Sequence, residues 1–184
     1  MKAARRMHSN PREIQKFRAL VRNHYRRAGR HALPWRHTRD PYRIVVSEVM
    51  LQQTQVARVL SFYPRFLKRF PSFHALARAP RREVLKHWQG LGYNRRAVSL
   101  HRLAEEVVTR YRGKLPRDPR ILRDLPGLGP ATAGSVLAFA FDIPTPFIET
   151  NIRRAFLHHF FPQARNVREE AVLELARRAL PKQH

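Results

Sequence analysis

Apolar residues recur along this chain at intervals of three and four, and no segment shows the one-by-one alternation of a half-buried strand. That periodicity confines the chain to helices, so the predicted fold class is all-α. Proline and glycine divide the pattern. The spacing predicts a helix over 13–28, with Ile14, Phe17, Leu20, Val21 and His24 on one face and Gly29 as its C-cap. An irregular stretch to Tyr42 follows, kept extended or turned by Pro34 and Pro41. Helical spacing resumes from Pro41 to about Leu60, through Ile44, Val45, Val49, Leu51, Val56 and Val59. Residues 61–70 read as a short aromatic helix with Pro64 in its first turn. Ser72 is the expected N-cap of 72–79, and a helix begun at Pro80 is closed by Gly90 and Gly92. Beyond a helix over 94–111 and a loop over 112–119, a short helix at 119–124 leads into a turn at 125–129. A small-residue helix then fills 130–141. Pro144 and Pro146 interrupt, a helix restarts near Asn151, and the amphipathic pattern of 168–180 calls for a partner surface. No unit repeats and no segment is low-complexity.

At 184 residues and 43% hydrophobic, the chain can bury the core of one domain or of two small interleaved ones. Disorder throughout is excluded by the patterned apolar residues, and a membrane span by the lack of any apolar run of about 18 residues. The start, MKAARRMHSN, has basic residues but no apolar run, so no signal peptide is expected. With no cysteine, disulfides, thiolate metal sites, iron–sulfur clusters and a cysteine nucleophile are excluded. A soluble intracellular protein is expected. Its 37 basic residues against 13 acidic ones give a net charge of +24, which favours a polyanionic partner through counterion release. Of the 37, 31 are arginine, a bias that an Arg-rich codon usage would also produce, so a merely solvated basic surface is the alternative. The charge is spread along the chain and belongs to the folded surface. It does not separate an enzyme from a binding module.

Residues 125–131 (LPGLGPA) lie between two helical patterns. Two glycines one residue apart are expected to turn the backbone tightly and present N–H groups at the next helix start, where the dipole favours a phosphate. With Leu125 and Leu128 anchoring the turn, this reads as a helix-hairpin-helix gripping a DNA backbone; a plain αα turn is the alternative. Glu48, beside Ile44, Val45, Val49 and Leu51, is expected to be desolvated and pushed toward the range of a general acid. A rim carboxylate paired with an arginine is the alternative. Gln52, Gln53, Thr54 and Gln55 are expected on the same helix, Gln52 one turn from Glu48, where amides can read a base edge or fill the space of an extruded base. Glu149, just before Thr150 and Asn151, stands at a helix start that favours its ionised form, although such a residue also serves stability alone. One neutral-leaning acid and one ionised carboxylate are what glycosidic cleavage requires.

Residues 33–36 (LPWR), 47–56 (SEVMLQQTQV), 90–93 (GLGY) and 125–129 (LPGLG) together resemble the MutY-type adenine DNA glycosylases of the helix-hairpin-helix superfamily that includes endonuclease III. The resemblance runs from about residue 13 to 160 in order and spacing. It implies the helix-hairpin-helix glycosylase fold of two interleaved α-helical lobes: a six-helix barrel over 38–142 containing the hairpin at 119–141, and a second lobe from 1–37 and 145–184. Double-stranded DNA with a mismatched or damaged base is the implied partner, with the target base flipped into the cleft between lobes; a monomer is expected, and the absence of targeting signals leads to the expectation of the cytoplasm, at the nucleoid. By position, Glu48 matches the general acid, and Asn151 an asparagine that supports the catalytic carboxylate at Glu149. Gln52, Gln53, Thr54 and Tyr93 match residues that wedge into the duplex or contact the mismatch. Leu125, Gly127, Leu128, Gly129, Ala131 and Thr132 match the phosphate-gripping hairpin, whose carbonyls in relatives also hold a monovalent cation. Trp35, Arg36 and Val56 match the base pocket.

Four positions and endings depart from, or subdivide, that family. Ala131 stands where bifunctional relatives carry a Schiff-base lysine, which implies a monofunctional glycosylase. Glu149 replaces the family's aspartate; a misplacement of about 1 Å costs on the order of a hundredfold in rate. Lacking cysteine, the family's iron–sulfur loop has no ligands, so no cofactor and no metal are expected. The chain stops at His184, short of the family's next core helix and of the Nudix-like domain that reads 8-oxoguanine, so a fragment is expected. The first functional expectation is excision of a mispaired base, adenine opposite 8-oxoguanine or G. A mismatch thymine or uracil glycosylase, and a lesion-sensing module on an impaired scaffold, are the alternatives.

Overall fold

The computed structural model describes residues 10–181, and every regular element among them is helical. The helices are α1 (Pro11–Ala28), α2 (Pro41–Leu51), α3 (Val56–Arg69), α4 (Phe73–Arg78), α5 (Arg81–Trp88), α6 (Arg95–Tyr111), α7 (Pro119–Asp124), α8 (Pro130–Phe141), α9 (Thr150–Phe160) and α10 (Glu169–Ala179), with a 3-10 turn at Pro34–Arg36. Three helices begin on an Asn-Pro or Asp-Pro pair: Asn10-Pro11, Asp40-Pro41 and Asp118-Pro119. In each the side-chain oxygen accepts first-turn N–H groups, as Asp40 does from Tyr42 at 2.8 Å and Asp118 from Arg120 at 2.7 Å. Proline at the first position loses only an N–H that had no helical partner. Ser72 caps α4 by accepting from Ala75 N–H.

The chain divides into two compact units, residues 32–143 and the two ends up to 31 and from 144. In the first, Met50, Phe66, Phe70, Leu76, Trp88, Leu100, Leu103, Leu122, Leu128 and Leu137 are fully buried in one core. α2 packs on α3 and α8, α6 on α4 and α5, and α7 on α8. The helix expected over 41–60 is two helices: α2 stops at Leu51 and α3 starts at Val56. The segment expected as a separate helix at 61–70 belongs to α3, with Pro64 inside it. Pro64 is tolerated there because it lies on the exposed face of α3, off the side that buries Val59, Tyr63 and Phe66.

In the end unit, Ile14 and Phe17 of α1 pack with Phe156 and Phe160 of α9 and with Val172, Leu175 and Ala176 of α10. The Phe17 ring lies 4.9 Å from Phe156 and 5.1 Å from Phe160. The amphipathic α10 thus finds its partner surface on α1 and α9. Arg18 closes the end of α10 by donating to the carbonyls of Arg178, Ala179 and Leu180. The apolar face expected of α1 is shorter than its spacing suggested. Leu20 is 58% and Val21 49% exposed, and His24 is exposed, because α9 and α10 cover only Ile14 and Phe17.

Candidate functional site

The hairpin runs from α7 through 125–129 into α8, and its leucines hold it. Leu125 and Leu128 are buried, and Leu128 N–H bonds the Leu125 carbonyl at 3.1 Å. The two glycines do different work. Gly127 has φ +83°, a left-handed conformation that favours glycine, and a Cβ there would come within 3.0 Å of Ser99 Cβ. Gly129 is not a turn glycine as expected: its φ is −73° and ψ 174°, and a Cβ there would meet nothing within 4 Å. What its missing side chain leaves open is the approach to the start of α8. The first-turn amides of Ala131 and Thr132 there have no helical carbonyl to bond.

α2 carries Glu48 against the small-residue face of α8. Ser47 and Val49 beside it are buried, while Glu48 itself is half-buried. The fully buried Ser135 of α8 brings its Oγ 2.5 Å from Glu48 Oε2 and 2.9 Å from the Thr132 carbonyl. A hydroxyl has one hydrogen, so Ser135 donates to one of these acceptors at a time. When it donates to Thr132, its lone pairs face Glu48 and are free to accept from a carboxyl that carries a proton. Ser135 was not singled out in the sequence. A lone hydroxyl among the apolar residues of 133–141 was the available signal, since a buried polar group requires a partner.

Gln52, Gln53 and Thr54 do not continue the helix of Glu48, contrary to the sequence reading. Gln52 is the C-cap of α2, and Gln53 adopts φ +52°. The Gln52 amide donates to the Gly127 carbonyl at 3.3 Å and to Thr132 Oγ1 at 3.2 Å, which ties this turn to the hairpin. Gln53 and Gln55 are exposed. The chain turns because Arg96, at the start of α6, draws off the carbonyls that would continue the helix. Its Nη1 donates to Val49 and Met50 at 2.9 Å each and to Gln52 at 2.5 Å. Its Nη2 donates to Thr54 Oγ1 at 2.9 Å and to the carbonyls of Leu91 and Gly92 at 3.3 and 3.1 Å. The guanidinium carbon lies 5.5 Å from the Trp88 and Tyr93 rings alike. Burial pushes the Arg96 pKa below the usual arginine value, offset in part by Tyr93. As one arginine among 31, Arg96 carried no sequence signal of its own.

Tyr93 is 64% exposed at φ +49°, in a loop where Gly90 and Gly92 also have positive φ. Trp35 lies in the core rather than on an accessible wall: it is 7% exposed, with its ring edge-on to Tyr63 at 5.4 Å. Arg36 is exposed, and Val56 is half-buried against the same core.

Glu149 and Asn151 belong to the end unit, both exposed at the start of α9. Glu149 is the N-cap residue, its carbonyl accepting from Arg153 N–H at 2.8 Å while its side chain makes no capping bond. Among the described residues no three His, Cys, Asp or Glu side chains gather as a metal site. The hairpin carbonyls of Leu125 and Gly127 accept from Leu128 N–H and the Gln52 amide, so the turn is held by donors of the chain itself.

Residues 46–182 match the family described as HhH-GPD superfamily base excision DNA repair protein. The chain is 36% identical over 144 residues to the adenine DNA glycosylase of Buchnera aphidicola subsp. Baizongia pistaciae (strain Bp), covering 78% of this chain and 41% of that one. It is 42% identical over 147 residues to the adenine DNA glycosylase of Mycobacterium tuberculosis (strain ATCC 25618 / H37Rv), covering 79% and 47%. It thus spans less than half the length of these relatives. To the thymine/uracil-DNA glycosylase of Methanothermobacter thermautotrophicus it is 33% identical over 155 residues, covering 83% and 70%. The solved structure of a thermostable thymine-DNA glycosylase superposes with a TM-score of 0.84 at 29% identity, covering 92% of this chain and 79% of that one. A trapped endonuclease III–DNA covalent intermediate shares the fold, with a TM-score of 0.70 at 20% identity over 92% and 84%.

Proposed function

The chain belongs to the HhH-GPD superfamily of base excision DNA repair proteins, and from that premise we propose that it is a monofunctional DNA glycosylase excising a mispaired base, adenine opposite G or 8-oxoguanine. The observation that carries this reading is the Ser135–Glu48 hydrogen bond, which joins a half-buried carboxyl on α2 to the helix that opens from the hairpin. The element that receives the phosphate thereby also fixes the acid.

In the proposed reaction the hairpin amides and the basic surface hold the duplex backbone, and the target base leaves the stack. Glu48 gives its proton to the base ring as the bond from C1′ to the base nitrogen breaks. Glu149, ionised, supports the positive charge that develops on the sugar, and Asn151 supports Glu149. Water adds to C1′, and the proton it releases restores Glu48. At Ala131 there is no amine to capture C1′, so strand cleavage through a Schiff base does not follow.

Incubation with duplexes carrying A:8-oxoguanine, A:G, T:G and U:G, followed by alkali, tests this. Breaks at the adenine of the first two are expected. Binding without breaks in any duplex overturns the enzyme reading. Breaks at T:G and U:G alone favour the second reading, a mismatch thymine or uracil glycosylase. That reading has its own support in the relative of which this chain covers 70% and in the 0.84 superposition.

A further inference from the structure

Two exposed residues, Gln53 and Tyr93, stand in left-handed backbone on separate loops, one after α2 and one before α6. Side chains rarely adopt that conformation, and it persists where the surroundings over-determine it. Here one side chain reaches both loops. Arg96 bonds Gln52 and Thr54 on the first loop, Leu91 and Gly92 on the second, and Val49 and Met50 at the end of the helix that carries Glu48.

We propose that Arg96 is a positioning residue that locks the 52–55 turn and the 90–93 loop together, so that Gln53 and Tyr93 meet a duplex as one rigid probe in fixed register with Glu48. This rests on the glycosylase reading for what the probe meets, and on hydrogen bonding alone for the lock.

The chemistry is specific to arginine. Four hydrogens on two nitrogens, held in one plane, reach six oxygens from three segments. All six are carbonyl or hydroxyl oxygens. The guanidinium therefore works as a hub of donors rather than as half of an ion pair. Trp88 supports the hub from beneath, its Nε1 donating to the same Gly92 carbonyl at 3.1 Å. A lysine keeps the charge near Trp88 and Tyr93 but offers one nitrogen with three hydrogens, so it cannot hold both loops at once.

The test is Arg96→Lys, read first by amide hydrogen exchange without DNA. Thr54 N–H, bonded to the Leu51 carbonyl, and Leu91 N–H, bonded to the Trp88 carbonyl, report the two loops. The expected result is that both exchange at least tenfold faster together, while amides inside α6 and α8 keep their rates. With a duplex carrying 2-aminopurine as the target base, the fluorescence rise on extrusion is expected to fall to less than half. The single-turnover excision rate is expected to fall at least tenfold, with duplex affinity within threefold of the parent. Thr54→Val removes one acceptor of the hub and, after correction for intrinsic rates, should accelerate exchange at position 54 more than at Leu91; it decides the matter should Arg96→Lys fail to fold. Unchanged exchange at either loop, or acceleration spread evenly over all helices, overturns the proposal. If the parent protein excises no base, the glycosylase reading falls, and the paired exchange of the two loops still decides whether Arg96 locks them.

Discussion

A single hydroxyl hydrogen divides the time of Ser135 between Glu48 and the Thr132 carbonyl, and that competition makes Ser135 a control on the acid. Ser135→Ala removes this hydrogen bond to Glu48 without adding volume. Its expected effect is a drop in excision rate of about tenfold, the worth of one hydrogen bond to an ionisable group, with little change in Tm. An unchanged single-turnover rate would mean that Ser135 has no part in setting the acid. Elsewhere, burial pushes the Tyr63 phenol up to about 12, with the Arg43 guanidinium working against the rise. It pushes Tyr42 further still, with Asp40 adding to the effect. Both hydroxyls donate to carbonyls, Tyr42 to Phe70 at 2.5 Å and Tyr63 to Arg43 at 3.2 Å. Their folded pKa values lie above the unfolded value of about 10, so the neutral phenols stabilise the fold below pH 10. That contribution is lost as pH rises through about 12. Absorbance at 295 nm should therefore show two of the five tyrosines ionising late, together with unfolding. Five equivalent titrations near pH 10 would contradict the burial described.

Among the elements, the hairpin was the most legible in sequence and the 52–55 turn the least. At 119–124 and 130–141 Pro119, Pro130 and the glycines mark the boundaries locally, and both helices form at those residues. At 52–55 no residue is a helix breaker, and glutamine propagates a helix well. The break comes from Arg96, more than forty residues away in sequence, which no local pattern encodes. The same distinction separates the two hairpin glycines. Gly127→Ala must place a side chain at φ +83° and press on Ser99, at an expected stability loss of about 1–3 kcal/mol in chemical denaturation. Gly129→Ala enters open space at a permitted φ and should leave stability within about 0.5 kcal/mol, yet weaken duplex binding where a phosphate approaches. Equal stability losses at both positions would contradict this division. At α9, the Glu149 side chain makes no capping bond, and aspartate is a strong N-cap. Glu149→Asp is therefore expected to raise Tm, through about 0.5–1 kcal/mol of capping, and to raise turnover. Lost turnover would mean a site built around the longer side chain.

The whole molecule carries +24 on two units that each close a separate core. The charge was legible from composition, but its use was not, because charge alone draws any polyanion. Local chemistry supplies the rest: first-turn amides of α8 with no helical carbonyl to bond, loops held by Arg96, and a carboxyl reached from α8 through Ser135. No helix among the described residues is long and apolar enough to cross a membrane. Residue type and spacing single out Glu48, Glu149 and the hairpin as candidates. They do not give the partners of Glu48, which depend on how α2 meets α8, or the burial of Trp35, which depends on Tyr63. In the proposed reaction, binding and chemistry are separable functions that meet at Glu48. The most direct test is to measure duplex affinity and single-turnover excision side by side for the parent protein and Glu48→Gln. Matching affinity for an A:G duplex is expected, with an excision rate lowered at least about a hundredfold, as for loss of a general acid. Excision by Glu48→Gln at the parent rate would contradict that role.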